Sequence, residues 1–267
     1  MSKKTRVDLH NHTTLCNHAT GTVEEYVKRA IELGIDEYGF ACHAPMNFDP
    51  KYRMKLEERN IYEKWVNEAK EKYKDKIKVL LGYEVDFLNG FMLDEILNAN
   101  VDYLIGSVHF LQNKNEMWGF DNPEFIGVYK SVDIDKIWED YFDAIEAMAK
   151  TNYFQIVGHL DLIKVFKFLP KKDVRLIAKD SLKQIKKSNM VLELNPAGLR
   201  KPINELYPSK QLLEEAFDLG INITFGSDAH SVEHVGFGYS EISSLAKELG
   251  YTKCATFYKK EMNLIEF

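Results

Sequence analysis

Six of the eight histidines in this chain fall at or just beyond the end of a stretch that is predicted to form a β-strand. Two acidic residues, Glu84 and Asp228, occupy equivalent positions at strand ends. Imidazole nitrogens and carboxylate oxygens are common protein ligands of divalent transition-metal ions. The repeated placement of these groups therefore predicts a metal site. The six histidines are His10, His12, His43, His109, His159 and His230.

The pair His10 and His12 is separated by a single residue at a strand end. Alternate side chains of an extended backbone point to the same side, so these two imidazoles can bind one metal ion together. The pattern alone is weak, because two solvated or hydrogen-bonded histidines would give the same sequence. Taken singly, His43 and His109 are also more often buried core histidines than ligands.

A metal site is indicated by the number of groups that share this placement. Glu84 alone could be a buried acid paired with a base, and Asp228 alone could cap a helix. With His18 included, nine imidazole and carboxylate groups would crowd one rim, which is electrostatically costly unless cations bind between them. Cys16 and Cys42 lie beside proposed ligands; a thiolate ligand is one alternative, but small packed thiols are favoured.

The elements that must position these residues alternate between strands and helices. Apolar runs of strand length recur between amphipathic stretches of helical length, which favours βα units and a parallel sheet. In a parallel barrel the carboxyl ends of all strands face one side, where such enzymes keep their sites. No linker, low-complexity tract or repeat divides the chain, so we predict one domain over residues 1–267. The predicted strands cover residues 6–10, 35–42, 77–84, 103–109, 154–159, 190–195 and 221–227.

Helix ends and insertions can also be recognised. Thr22 with Glu25 three residues later fits a capping box, and Gly34 supplies the end of the same helix. Two stretches, 44–62 and 111–133, are too long for plain connections. In a βα barrel such insertions usually shape the substrate pocket, so we expect these two stretches to border it.

Composition limits the partners and the location. The net charge of −6 gives no basic surface for nucleic acid, so a phosphate substrate must be held by local charge. No apolar run approaches the length of a membrane span, and the amino terminus lacks the apolar stretch of a secretory signal. The odd number of cysteines, three, predicts free thiols in a reducing compartment. We expect a cytoplasmic enzyme that binds neither nucleic acid nor membrane.

Six short motifs, in this order, resemble those of the polymerase-and-histidinol-phosphatase (PHP) family. The resemblance runs from residue 8 to about residue 239 and implies a distorted TIM-like barrel of seven βα units with a cluster of three divalent metal ions. Residues 193–209 are similar to the histidinol-phosphatase branch, which implies hydrolysis of L-histidinol phosphate to L-histidinol and phosphate in histidine biosynthesis. One departure is Cys42, where many relatives have Asp or another small polar residue, and it bears on the metal preference. The motifs are DLHNH at 8–12, CNHA at 16–19, GYEVD at 82–86, GSVHF at 106–110, GHLD at 158–161 and GSDAH at 226–230.

The resemblance also divides the ligands among the three metal ions. Each ion keeps at most four protein ligands in this arrangement, so water and substrate have room to bind. Sites of imidazoles and carboxylates accept zinc, iron, manganese or cobalt, and zinc is the first expectation. The first ion would be held by His10, His12, Glu84 and Asp228, the second by Glu84, His109 and His159, and the third by His18, His43 and His230.

Three further residues are candidates for binding the substrate or moving a proton. Arg200 could clamp the phosphate, because its planar guanidinium can pair with two oxygens, although a surface arginine on a loop fits as well. Asp161, two residues after His159, is the candidate general acid; its plainer role is to orient the His159 ring. Lys164 could also contact the phosphate, although a solvated lysine is the favoured interpretation.

The sequence leaves two alternatives to hydrolysis of L-histidinol phosphate. One is a phosphoesterase of the same fold that acts on a nucleotide, a sugar phosphate or phosphotyrosine, since only the pocket insertions would separate these substrates. The other is a metal-binding scaffold without catalysis, in which protein ligands would close every metal site. No pattern in the sequence fixes the oligomeric state.

Overall fold

The computed structural model describes residues 4–113 and 116–267. The strands formed by these residues are β1 (Val7–Asp8), β2 (Glu37–His43), β3 (Lys78–Asp86), β4 (Tyr103–Ser107), β5 (Phe110–Asn113), β6 (Glu116–Gly119), β7 (Ile156–Val157), β8 (Val191–Leu194), β9 (Ile223–Phe225), β10 (Lys253–Tyr258) and β11 (Glu261–Glu266). The α-helices are α1 (Val23–Glu32), α2 (Arg59–Tyr73), α3 (Asp94–Leu97), α4 (Ile134–Lys150), α5 (Val174–Lys187), α6 (Lys210–Asp218) and α7 (Tyr239–Leu249).

Seven parallel strands form a barrel in the order β1, β2, β3, β4, β7, β8, β9. The last strand returns to the first, because the Leu9 amide donates to the Phe225 carbonyl at 2.8 Å and the His12 amide donates to the Ala229 carbonyl at 3.0 Å. All seven strands run in the same direction, so their carboxyl ends open at one mouth of the barrel. The predicted α/β barrel of seven strands is confirmed.

Every predicted strand is present, and several are shorter than predicted. β1 has two residues where five were expected over 6–10, and β7 also has two. The chain bends out of the regular ladder beyond these strands. After β9, Asp228 has a left-handed φ of 52°, and its amide donates to the His10 carbonyl at 2.8 Å. The bends bring the residues that follow the strands over the mouth of the barrel.

The helices cover the outside of the barrel. Thr22 and Glu25 form the predicted capping box of α1, with the Glu25 amide donating to the Thr22 hydroxyl at 3.2 Å. Gly34 follows the helix with a φ of 68°, a left-handed conformation that glycine adopts without strain. Tyr26 and Val27 of α1 are fully buried in the core between helices and sheet. Within the described residues, no helix combines the length and apolar character needed to cross a bilayer.

Two antiparallel hairpins were not predicted. The hairpin of β5 and β6 starts directly after β4 and lies in the first part of the 111–133 insertion. The hairpin of β10 and β11 follows α7 and packs Cys254, Ala255 and Phe257 against the residues inside the barrel. The Lys260 amide donates to the Asp102 carbonyl, just before β4, at 2.8 Å. This second hairpin therefore closes the end of the barrel opposite the mouth.

Candidate metal centre

Glu84, at the carboxyl end of β3, lies at the centre of the cluster of histidines. Its carboxylate is buried and lies 2.9 Å from His159 Nε2, 2.9 Å from His43 Nδ1 and 3.3 Å from His10 Nε2. Ser107 holds the carboxylate by donating to Oε1 at 2.7 Å. Burial opposes the charge, yet the imidazoles of His43 and His10 hold the pKa of Glu84 well below its usual range. Glu84 is thus an anion that several imidazoles share.

His10 and His12 lie side by side, with ring centroids 5.1 Å apart, as their spacing predicted. Asn11, between them, faces the other way, because its amide donates to the Gly39 carbonyl at 3.0 Å. His12 Nε2 lies 3.1 Å from Asp228 Oδ1. Donor atoms of His10, His12 and Glu84 all lie within 4.8 Å of one another. This group matches the ligand set expected for the first ion, with Asp228 adjoining it.

His109 and His159 form a second group with Glu84. Donor atoms of these three residues also lie within 4.8 Å of one another, and the two rings are 4.9 Å apart. His109 Nδ1 donates to Asp86 Oδ1 at 2.6 Å, which leaves Nε2 on the side of Glu84, 3.7 Å from Oε1. Burial opposes protonation, but Asp86 raises the pKa of His109 to about 10. The structure brings together all the residues expected to hold the second ion.

The other three histidines expected to bind metal are His18, His43 and His230, and they gather around His12. Their rings lie 4.5 Å apart for His18 and His230, and 5.3 Å apart for His18 and His43. The three do not form one compact set of ligands, as the resemblance implied. Ligand atoms of His43 and His230 lie within 4.8 Å of one another and of His12, whereas those of His18 and His230 lie within 4.8 Å of one another and of Cys16. Burial, with neighbouring imidazoles, lowers the pKa of His18 to about 4 and that of His230 well below its usual value. Both rings are therefore neutral, which is the form that binds metal.

The donor set fits divalent transition-metal ions. Buried polar atoms are normally paired. Within the described residues, several buried atoms of the cluster that could bind a metal ion have no hydrogen-bond partner. Such atoms are available to a ligand, and imidazole nitrogens with a few carboxylate oxygens suit zinc and its neighbours. These atoms include His12 Nδ1, His159 Nδ1 and His230 Nε2.

A cavity of about 750 Å³ opens over the cluster. Both insertions line it, as expected, through residues such as Arg53 and Tyr52 from 44–62 and Met117 and Phe125 from 111–133. The cavity is larger than a phosphate group needs, so it has room for the organic part of a phosphate ester.

Arg200 also lines the cavity. Its Nη2 donates to the carbonyls of Ser227 and Asp228 at 3.0 Å each, and its guanidinium lies 4.6 Å from the centre of the Phe237 ring. Nη1 has no hydrogen-bond partner within the described residues. The guanidinium is therefore held rigidly beside the Asp228 loop with donor capacity to spare.

Asp161 and Lys164 do not join the cluster. They bind each other at 3.1 Å; Lys164 also donates to the Leu206 carbonyl at 2.7 Å, and Asp161 accepts from the Ser209 amide at 2.9 Å. Neither residue is among those that line the cavity. The backbone turns sharply after β7, with a φ of 22° at His159 and 65° at Asp161. Asp161 therefore does not continue the strand beside His159, and its side chain does not reach the cluster.

The sequence matches two family descriptions over most of its length. Residues 8–197 match the family described as PHP domain, and residues 211–249 match the one described as PHP-associated. The chain belongs to the PHP domain family. A "Probable histidinol-phosphatase" of Deinococcus radiodurans is 36% identical over 96% of this chain and 97% of its own length. Histidinol-phosphatase of Bacillus subtilis is 30% identical over 87% of this chain and 96% of its own length.

Two crystal structures share this PHP barrel. HisK of Listeria monocytogenes matches with a TM-score of 0.80 at 29% identity, covering 88% of this chain and 99% of that one. Histidinol phosphate phosphatase of Lactococcus lactis, solved with zinc, L-histidinol and phosphate, also matches with a TM-score of 0.80, at 23% identity over 97% of this chain and 98% of that one. The latter likeness establishes the shared fold.

Two buried acids that sequence reasoning missed support the ligands of this PHP site. Glu193 of β8 accepts from His10 Nδ1 at 2.6 Å, and Asp86 of β3 accepts from His109 Nδ1 at 2.6 Å. Arg53 of the 44–62 insertion forms a buried ion pair with Asp86. The available signal was an acid within an otherwise apolar strand, as in VLEL and GYEVD.

Proposed function

We propose that this PHP-family protein is a histidinol-phosphatase, which hydrolyses L-histidinol phosphate to L-histidinol and phosphate in histidine biosynthesis. The observation that carries the proposal is the cluster of imidazoles around Glu84 at the base of a cavity of about 750 Å³. Relatives that are 36% and 30% identical over most of the chain are named as histidinol-phosphatases. A small phosphate monoester fits both the size of the cavity and the donor set below it.

Three divalent cations, zinc first among them, would occupy the cluster in this proposal. When bound, such ions attract the phosphate, lower the pKa of a water molecule and offset the charge that develops on the phosphoryl oxygens. The ligands would be His10, His12, Glu84 and Asp228 for the first ion, Glu84, His109 and His159 for the second, and His18, His43 and His230 for the third. Ligand atoms within 4.8 Å of one another support the second set and three members of the first, His10, His12 and Glu84. Asp228 lies 3.1 Å from His12, and His12 is close enough to His43 and His230 of the third set to be shared.

The residues around the cluster would orient the substrate. We assign Arg200 to the phosphate, since its Nη2 is fixed by two carbonyls and its Nη1 lacks a partner within the described residues. A guanidinium held in place loses little conformational freedom when it binds an anion. The contacts of Asp161 and Lys164 support a positioning role for both, in which their ion pair anchors the turn that carries His159.

We also propose that residues 1–267 form one domain and that the protein acts in the cytoplasm. Barrel strands come from residues 7 to 225, and the hairpin of β10 and β11 packs against the residues inside the same barrel. The three cysteines, Cys16, Cys42 and Cys254, are free and buried, which suits a reducing compartment.

The test of this function is phosphate release by protein that has been stripped of metal and reloaded with one ion at a time. L-Histidinol phosphate should be hydrolysed with a higher kcat/KM than a nucleoside monophosphate, a sugar phosphate or phosphotyrosine. The stripped protein should be inactive, and zinc, manganese, iron or cobalt should restore turnover. Turnover that persists without metal, or a preference for nucleotides, would refute the proposal.

Replacement of Glu84 separates an enzyme from a metal-binding scaffold. Glu84→Ala should retain the fold and lose most of its activity, because Glu84 contacts three of the imidazoles. The loss should exceed the about 10- to 100-fold that removal of a residue supporting a metal ligand usually costs. Ser107→Ala is the matched control, because it removes a hydrogen bond to Glu84 and keeps the Glu84 carboxylate itself. Circular dichroism checks the fold, and unchanged turnover in Glu84→Ala would favour the scaffold.

A further inference from the structure

The cavity over the cluster is lined by six carboxylates, and five of them already have cationic or imidazole partners. Glu84 and Asp228 contact histidines. Asp86 pairs with Arg53 and His109, and Asp49 lies 3.5 Å from Arg53 Nη2. Glu124 pairs with Lys51 at 2.9 Å on the exposed rim. The sixth is Asp121, which has no such partner within the described residues.

Asp121 is half-buried and lines the cavity just after β6. Within residues 4–113 and 116–267, its carboxylate forms no hydrogen bond and no ion pair. A carboxylate on a cavity wall that has no protein partner is free to pair with a cationic ligand. The cavity is the space from which such a ligand could reach it.

The hairpin of β5 and β6 places Asp121 close to the metal cluster. Phe110 pairs with Gly119 in the hairpin, and the Phe120 amide donates to the His109 carbonyl at 3.1 Å. The chain leaves the site at His109 and returns beside it two residues before Asp121. Asp121 lines the same cavity as the proposed ligand His109 and as Tyr207. Asp121 therefore lies on the cavity wall, one residue after the Phe120 amide that contacts the proposed ligand His109.

We propose that Asp121 binds the ammonium group of the substrate and thereby selects amino-alcohol phosphates. The inference depends on the proposed function, because L-histidinol phosphate carries an ammonium only two carbon atoms away from its ester oxygen. With the phosphate at the cluster, that ammonium lies close to the cluster while the imidazole extends towards the mouth. A carboxylate beside His109 matches the position of the ammonium, and a charge-assisted hydrogen bond between them gives affinity and orientation.

The experiment compares Asp121→Asn with the wild type on two substrates, L-histidinol phosphate and its desamino analogue, imidazolylpropyl phosphate. For L-histidinol phosphate, kcat/KM should fall about 10- to 100-fold, mainly through KM, as expected for loss of a hydrogen bond to a charged group. For the desamino analogue, wild type and variant should agree closely. Glu124→Gln is the matched control, a carboxylate of the same cavity that is already paired with Lys51, and it should not discriminate between the substrates.

Metal content and circular dichroism accompany each assay, and Asp121→Ser provides a second variant if Asn disturbs folding. Equal losses on both substrates, no loss on L-histidinol phosphate, or loss of bound metal in the variants would overturn the assignment of Asp121. Failure of the wild type to hydrolyse L-histidinol phosphate would instead refute the proposed function itself. The two failures are therefore distinguished by the wild-type measurement alone.

Discussion

Glu193 joins two of the proposed metal sites through a single buried carboxylate. Oε1 accepts from His10 Nδ1 at 2.6 Å, and Oε2 accepts from the His159 amide at 2.7 Å and from the Asn195 side chain at 3.2 Å. The first bond fixes which nitrogen of His10 faces the cluster. The second holds the backbone of His159 at its bend. Carboxylates in such positions set the orientation and basicity of metal-binding imidazoles.

Glu193→Gln should lower the affinity for zinc about 10- to 100-fold, the usual cost of losing a supporting partner of a ligand. An amide nitrogen would face donors on His159 and Asn195, so at least one of the present bonds would be lost. Chelator competition measures the affinity. The control is Glu205→Gln, because Glu205 is 54% exposed and, among the described residues, pairs only with Lys164, outside the cavity. Equal zinc affinity in Glu193→Gln and wild type would show that the carboxylate does not support the site.

The cluster could be predicted because its residues lie at strand ends. The contacts of residues that follow the strand ends, such as Asp161, could not be predicted. His10, His109 and His230 converge because parallel strands share one mouth, which follows from topology alone. Asp161 followed His159 closely in sequence, yet a left-handed φ of 65° turns it towards Lys164. A non-glycine residue in that conformation is uncommon, and although Asp adopts it more often than most residues, GHLD alone does not predict the turn.

At the scale of elements, the 44–62 insertion supports the site from outside the barrel. Arg53 lies after the short 3₁₀ helix Pro50–Tyr52 and forms its buried ion pair with Asp86 at the end of β3. Asp86 in turn holds His109. Lys51 of the same insertion pairs with Glu124 of the 111–133 insertion. A chain of contacts thus runs from a surface insertion to a proposed metal ligand.

Arg53→Met should destabilise the protein by about 3 kcal/mol, because it leaves the buried charge of Asp86 without its main cationic partner. Urea unfolding measures the change in the free energy of unfolding. Lys51→Met is the control: it removes an ion pair whose two side chains are 57% and 60% exposed, and such pairs contribute little. If both variants unfold at the same urea concentration, the Arg53 ion pair is not a stabilising contact.

The strands of the barrel could be predicted from sequence because their apolar runs are buried on both faces. β3 (Lys78–Asp86) has eight buried residues in succession. β11 (Glu261–Glu266), in contrast, is largely exposed, and its three apolar residues are mixed with polar ones. Its pairing with β10 depends on the open end of the barrel, which is a tertiary feature that local sequence does not contain.

At the scale of the whole molecule, the two ends of the barrel have different tasks. The mouth carries the imidazoles, carboxylates and cavity, where polar groups are held close together. The opposite end is closed by apolar side chains of the β10 and β11 hairpin, and Phe257 is 1% exposed in the core inside the barrel. Barrels of this kind generally separate catalysis from stability in this way.

Phe257→Ala should therefore cost about 3–5 kcal/mol of unfolding free energy and leave bound metal and kcat unchanged. The stability loss arises because the phenyl ring contributes to the core at the closed end, where a cavity would remain. Tyr258→Ala is the matched control, because Tyr258 is the next residue of the same hairpin and its side chain is 51% exposed, so it should contribute little to stability. Urea unfolding, metal analysis and turnover are measured on both variants. Loss of metal from folded Phe257→Ala would show that the two ends of the barrel are coupled, contrary to this separation.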